Sequence, residues 1–134
     1  MRWFNKVPSR DIWEEPVPAE LGDIEAAERI RNICRSATDS AEWIGGIAPR
    51  GDNSKRSPEK KHETESARYQ RAAKAAMEIA MKVSDELMRD AAVREIVELC
   101  LTARDMKTAR ILFRAIQSPS IRDGVLREHP ELVA

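Results

Sequence analysis

From Asp23 onward the apolar positions of this chain recur three and four residues apart, the spacing of one face of an α-helix. Ala27, Ile30, Cys34, Ala37, Ala41 and Ile44 form one such stripe; Asp23 is suited to cap its start, and Gly45-Gly46 to stop it. Ser36, Thr38, Asp39 and Ser40 lie within it and compete for backbone hydrogen bonds, so the sequence allows this helix to break into two pieces. The periodicity then lapses and returns more strongly. Tyr69, Ala72, Ala73, Ala76, Ile79, Ala80 and Val83 line one face, after which Ser84 or Asp85 offers an N-cap. Met88, Ala92, Ile96, Leu99, Cys100 and Ala103 line the next helix. Asp105 caps a third, with Met106, Ala109, Leu112, Phe113 and Ile116 on its buried stripe. Ser118-Pro119 opens a fourth, which carries Ile121, Val125 and Leu126 and ends before Pro130. Alternation of period two never lasts, so no strand is predicted.

The segments between these elements read differently. Residues 1–22 hold Pro8, Pro16 and Pro18 among mixed charges and are expected to be an irregular or disordered tail. Residues 46–63, GIAPRGDNSKRSPEKKHE, have the composition of a linker, with almost nothing to bury. The Arg50-Gly51-Asp52 tripeptide inside it is too short a motif to carry meaning, whereas Ser57-Pro58 has the form of a helix start. The expected organisation is a tail over 1–22, a helix over 23–45, a linker over 46–63 and a helical domain over 64–134. The fold class is all-α: a short array of antiparallel helical hairpins, either solenoid-like or a small bundle.

Two stretches of the helical domain repeat one phrase. KVSDELMRDAAV at 82–93 and AIQSPSIRDGVL at 115–126 stand 33 positions apart, and the correspondence extends upstream, pairing Ala76 with Ala109, Ile79 with Leu112 and Val83 with Ile116. It also pairs Met88 with Ile121, Arg89 with Arg122, Asp90 with Asp123 and Val93 with Leu126. Each unit is therefore a helix, a tight connection and a second helix, and tandem repetition at this period marks an αα-solenoid. The pattern A-x-x-IA-x-x-V-x-D-x-x-x-RD-A-A-V-x-x-I followed by A-R-D-x-x-x-A-x-x-L-x-x-A-I resembles the degenerate tetratricopeptide-like repeats of bacterial proteins, over about residues 72–128. Such repeats often carry Gly before the Asp of the turn between helices, a place held here by Arg104. The resemblance implies contact with another protein through a groove, and no catalysis.

A solenoid of fewer than about three repeats cannot bury its terminal faces, and this one has barely two. The open faces need cover from the 23–44 helix folding back, from a second copy of the chain, or from a different protein.

Composition narrows the functional classes. The 23 basic and 23 acidic side chains cancel, which argues against bulk attraction to nucleic acid or an anionic membrane. No apolar run approaches the roughly 20 residues that cross a bilayer, and MRWFNKVPSRDIWEEP lacks the apolar centre of a secretory signal. Cys34 and Cys100 stand alone, as in a reducing cytosol, and His62 and His129 lie far from both in sequence, so no metal site or other cofactor is predicted. No nucleophile–histidine spacing, phosphate loop or metalloprotease motif occurs, and the chain is not expected to be an enzyme.

Several residues remain as candidates for contact. Trp3, Phe4 and Trp13, together with Trp43, are large aromatics in the less regular part of the chain. Either they pack on the protein's own repeat, or Trp3-Phe4 or Ile12-Trp13 serves as a linear motif held by another chain. Tyr69, Ala76, Met77 and Met81, with Met106 and Phe113 near the rim, are expected to line the groove, methionine being adaptable to varied partners. The Arg89-Asp90 and Arg122-Asp123 pairs read either as a recurring polar ledge or as local structure, each Asp suiting its helix dipole and each Arg reaching the carbonyl end of the preceding helix. Lys107, Arg110 and Arg114 share a face of their helix and give the alternative of a small DNA-binding regulator. Thr108 and Ile111 interrupt that face, and no Asn or Gln stands at its start to read bases. The leading expectation is a cytoplasmic, bacterial-type, non-catalytic interaction or regulatory module whose partner is another protein or a second copy of itself. A structural homo-oligomer is a further alternative.

Overall fold

Aspartate side chains cap the starts of two helices of this protein, and a glycine or a positive-φ residue closes two. The structure is a computed structural model that describes residues 11–46 and 58–133. Its α-helices are α1 (Asp23–Ile44), α2 (Pro58–Ala80), α3 (Glu86–Thr102), α4 (Met106–Ala115) and α5 (Pro119–Glu128), with 3-10 turns at Ile12–Glu14 and Pro130–Val133. The described residues contain no strand, and the helices pack against one another as an all-α array.

The predicted caps at Asp85 and Asp105 are made: Asp85 Oδ2 accepts from Met88 N at 2.9 Å, and Asp105 Oδ1 from Thr108 N at 3.2 Å. α1 differs. Gly22 is its N-cap and Asp23 its first helical residue, so the Asp23 carboxylate is free to act elsewhere. It accepts from Ser84 N (2.8 Å) and Asp85 N (2.9 Å), the backbone that leads into α3. α1 also runs unbroken through Ser36–Ser40. Thr38 Oγ1 bonds back to the Cys34 carbonyl at 2.9 Å, and the Ser40 hydroxyl, buried, donates to Glu65 at 2.8 Å; both are satisfied without opening the helix.

α2 begins at Pro58, earlier than the expected domain start, so 58–63 belongs to a helix and not to the linker. Pro58 suits the first helical position and Glu59 the first turn. The extension also finds a partner, since Lys61 Nζ lies 4.9 Å from the centre of the Trp43 ring of α1. Residues 47–57, including Arg50-Gly51-Asp52, lie outside the described residues.

Two terminations are tight. At the end of α1, a Cβ on Gly45 would meet the Thr102 carbonyl oxygen at 2.1 Å, so the ends of α1 and α3 abut through bare backbone. Gly46 follows with φ 92°. α3 ends with Asp105 N donating to Cys100 O (2.9 Å) and Arg104 N to Leu101 O (3.0 Å), with Arg104 at φ 59°. This is a Schellman closure, which asks for glycine at that residue.

α1 folds back along both α2 and α3, while α3 also packs on α4. Of the three ways to cover the short array, the first is therefore realised within one chain. Because α1 faces two helices, its buried stripe is Ala26, Ile30, Ile33, Ala37 and Ala41, with Ala27 and Cys34 moved to the edge. The core continues through Ile79, Ile96, Val97, Ile116 and Val125.

The 33-residue correspondence survives in the first helices of the units: Ala76 and Ala109, Ile79 and Leu112, Val83 and Ile116 are all buried. The second helices diverge. α4 and α5 scarcely touch; α4 packs instead on the Pro130–Val133 turn, where Leu132 is buried. Pro130 stands where Val97 stands in α3 and divides the last helix in two. The Arg-Asp pairs diverge as well. Arg122 reaches the Ile116 carbonyl at 2.8 Å, as expected of it. Asp90 is wholly buried and accepts through Oδ2 from Gln117 N (3.1 Å) and Ser118 N (2.7 Å), whereas Asp123 is exposed. Asp90 thus does for the start of α5 what Asp23 does for the start of α3.

Candidate functional site

The site is best built from Tyr69, because its hydroxyl joins the two helices that form it. α2 presents Tyr69 to α4, and the phenol donates to Asp105 Oδ2 at 2.7 Å. Burial, then the neighbouring Cys100 and Asp105, push the phenol pKa up, so it remains a neutral donor. Burial works to raise the Asp105 carboxyl. The hydrogen bonds from Tyr69 and Thr108 and the charge of Lys107 outweigh it and hold the group below the usual carboxylate range. Beyond this link α2 and α4 stand apart, leaving a cleft of about 200 Å³ floored by Tyr69, Ala73, Met77 and Leu112, with Lys74 on its lining. Two large apolar side chains outside its lining are left in water: Met81 on the turn after α2 (77% exposed) and Ile111 on α4 (54%).

Only part of the expected groove is brought together here. Tyr69 and Met77 line the cleft. Met81 is exposed beyond the end of α2. Ala76 of α2 is buried in the core; α4 packs on α3, which buries Phe113 and sets Met106 against the core. Neither Phe113 nor Ala76 offers a contact surface. Leu112, Ala73, Asp105 and Thr108 line the cleft without having been singled out in the sequence, where they read as stripe or cap residues. Their double role depends on how far apart α2 and α4 are held, which no local pattern states.

Trp3 and Phe4 lie outside the described residues. Trp13 is buried on its own chain, with the Arg68 guanidinium 5.0 Å from its ring centre. Arg68 also donates to Asp11 (2.8 Å) and to the buried Ser40 hydroxyl (3.2 Å), so the segment around Trp13 is pinned to α1 and α2. In this arrangement Trp13 has no face to give a partner. Lys107 and Arg114 are exposed on α4, while Arg110 is half-buried and donates to the Glu131 carbonyl at 3.3 Å.

A second cleft, of about 230 Å³, separates α1 from α3; Cys34, Thr38, Leu99 and Thr102 line it, and an Arg31–Glu95 ion pair (3.3 Å) crosses its edge. Burial pushes the Cys34 thiol up to about 12 and the Cys100 thiol up to about 11, so both remain protonated and poorly nucleophilic. His129, far from both cysteines in sequence, lies 2.7 Å from Glu98, with Glu128 in the same cluster. Glu128 is already held by Arg94 at 2.6 Å, so a cation there would meet the guanidinium. The group works as a network tying α3 to the end of α5.

Among the described residues no helix is long and apolar enough to cross a membrane. Comparison of the chain with protein-family models, with curated proteins and with solved structures finds no match in any of the three.

Proposed function

We propose that this protein is a non-catalytic interaction or regulatory module of the cytoplasm, holding a peptide or helix of another protein in the α2/α4 cleft. The observation that supports this reading is the cleft itself: an opening of about 200 Å³ between α2 and α4, lined by Tyr69, Ala73, Met77 and Leu112, with Met81 after α2 and Ile111 on α4 exposed. The polar groups in the cleft are suited to contact more than to reaction. The phenol is neutral and already bonded, and the Asp105 carboxylate is committed to Tyr69 and to the start of α4.

The test is site-directed photo-crosslinking in cells, with a photoreactive residue in place of Gln70, which lines the cleft, or of Asp123, exposed on α5. A discrete protein adduct from position 70 that is absent from position 123 is expected. Adducts of equal yield at both positions, or at 123 alone, would remove the cleft from the function.

A further inference from the structure

We infer that the outer face formed by α1 and α3 binds a second copy of this chain, across a two-fold axis parallel to the two helices. This face is lined by other residues than the α2/α4 cleft, so it neither needs nor excludes the reading above.

α1 covers the short array with its inner side and leaves a groove outside, along α3. The two helices run parallel and level. The Asp23 carboxylate meets Ser84 and Asp85 at their starts, Arg31 meets Glu95 midway, and Gly45 abuts Thr102 at their ends. Two hollows, of about 230 and about 200 Å³, lie along the groove and share Arg31 and Glu95 in their linings. Ala27, Met88 and Ala91 line the hollow nearer the helix starts. Ile24 stands three residues before Ala27 and Leu87 four before Ala91, so helical spacing puts both on the stripes that border the groove. Their side chains, 71% and 59% exposed, give this end of the face its apolar surface.

The charged residues that line the hollows are Arg31 and Arg35 from α1, and Glu95 and Glu98 from α3. One wall is thus basic and the other acidic. A two-fold axis along the groove turns the face over without sliding it, so each position on α1 meets the level position on the partner's α3. Arg31 then faces the partner's Glu95, Arg35 the partner's Glu98, and Ile24 the partner's Leu87. Arg35 takes part in no salt bridge among the described residues, so pairing gives it a carboxylate it lacks in the single chain. Glu98 meets His129 through Oε1, which leaves Oε2 for that contact. An axis across the helices would instead set α1 on α1 and α3 on α3, like charge on like. A foreign helix would need a basic and an acidic flank in the matching order, whereas a second copy carries both.

Area sets the strength. The 17 residues of α3 span about 25 Å, and two helices abreast are about 20 Å across. The face is then about 500 Å² per copy and about 1,000 Å² in the pair, the lower bound of a specific interface. The dimer is accordingly reversible, and its exposed charge pairs make it sensitive to salt.

The experiment is sedimentation velocity of the full chain, from low micromolar to several hundred micromolar, at low and high salt. The native protein is expected to pass from monomer to dimer as concentration rises, and to do so less readily at high salt. Arg31→Glu alone and Glu95→Arg alone each place like charges opposite one another and should weaken dimerisation about tenfold or more. An equimolar mixture of those two variants should regain it, because Glu at 31 in one copy then faces Arg at 95 in the other, and the native Arg31 and Glu95 face each other. Ile24→Lys, at an exposed site away from the ion pair, should weaken dimerisation by a similar factor with an unchanged thermal melt. That variant keeps the test decisive should a charge reversal unfold the chain. A native protein that stays monomeric at every concentration would overturn the inference. So would a dimer that Arg31→Glu and Ile24→Lys leave intact, since its interface would lie elsewhere, or a mixture that fails to regain what its two components have lost.

Discussion

Arg104 and Gly45 show how a single position is judged by its backbone and not by its side chain. Arg104 closes α3 at φ 59°, where a Cβ is strained and glycine is not. Arg104→Gly is therefore expected to stabilise the protein by about 0.5–1 kcal/mol, the strain relieved outweighing the extra freedom of the unfolded chain. Gly45 is the reverse case. Its φ of −72° suits any residue, but a Cβ would stand 2.1 Å from the Thr102 carbonyl. Gly45→Ala should cost roughly 1–3 kcal/mol, because either α1 or the end of α3 must move. Denaturant titration of the two variants checks both signs. The turn before Asp105 was legible in the sequence as the place where the repeats it resembles put glycine. The burden on Gly45 was not, since Thr102 is far away along the chain.

At the scale of elements, the same two-residue phrase takes two fates. Asp90 and Asp123 have matching neighbours and matching positions in their helices, and the local dipole argument treats them alike. In the fold only Asp90 has a following helix to hold, and it accepts the backbone N–H groups of Gln117 and Ser118 in a buried place. Asp90→Ala should cost about 2 kcal/mol or more by leaving buried donors without an acceptor, while Asp123→Ala should change stability by less than about 0.5 kcal/mol. Equal effects in thermal unfolding would mean that the stitch between α3 and α5 carries no weight. Asp23 belongs to the same device, yet at sequence level it read as the cap of its own helix. The N-cap of α1 is one residue earlier, at Gly22, and the carboxylate spans to Ser84 and Asp85 instead.

For the molecule as a whole, these carboxylates give stability a sign with pH. Backbone hydrogen bonds from Ser84 and Asp85 lower the pKa of Asp23. The Asp105 carboxyl is lowered despite burial, through Tyr69, Thr108 and Lys107. A carboxyl whose folded pKa lies below its unfolded value of about 3.9 stabilises the fold above that pH. The contribution fades as pH falls through the lower folded value. Urea midpoints measured from neutral pH downward should therefore fall more steeply below about pH 4 for the native protein than for an Asp23→Asn, Asp105→Asn variant. A variant with an unchanged acid limb would contradict the assigned hydrogen bonds.

What the sequence determined by itself is local: five helices, their caps at Asp85 and Asp105, the stop at Gly45-Gly46 and the 33-residue duplication. These follow from side-chain period and backbone preference, which act within a few residues. The structure alone decided that α1 lies against both α2 and α3, that Phe113 and Ala76 sit in the core while Leu112 floors a cleft, and that Asp90 and Asp123 differ. Those outcomes depend on which helix stands beside which. Helical period fixes the direction a side chain leaves its own axis, but only packing between distant segments fixes what it meets there.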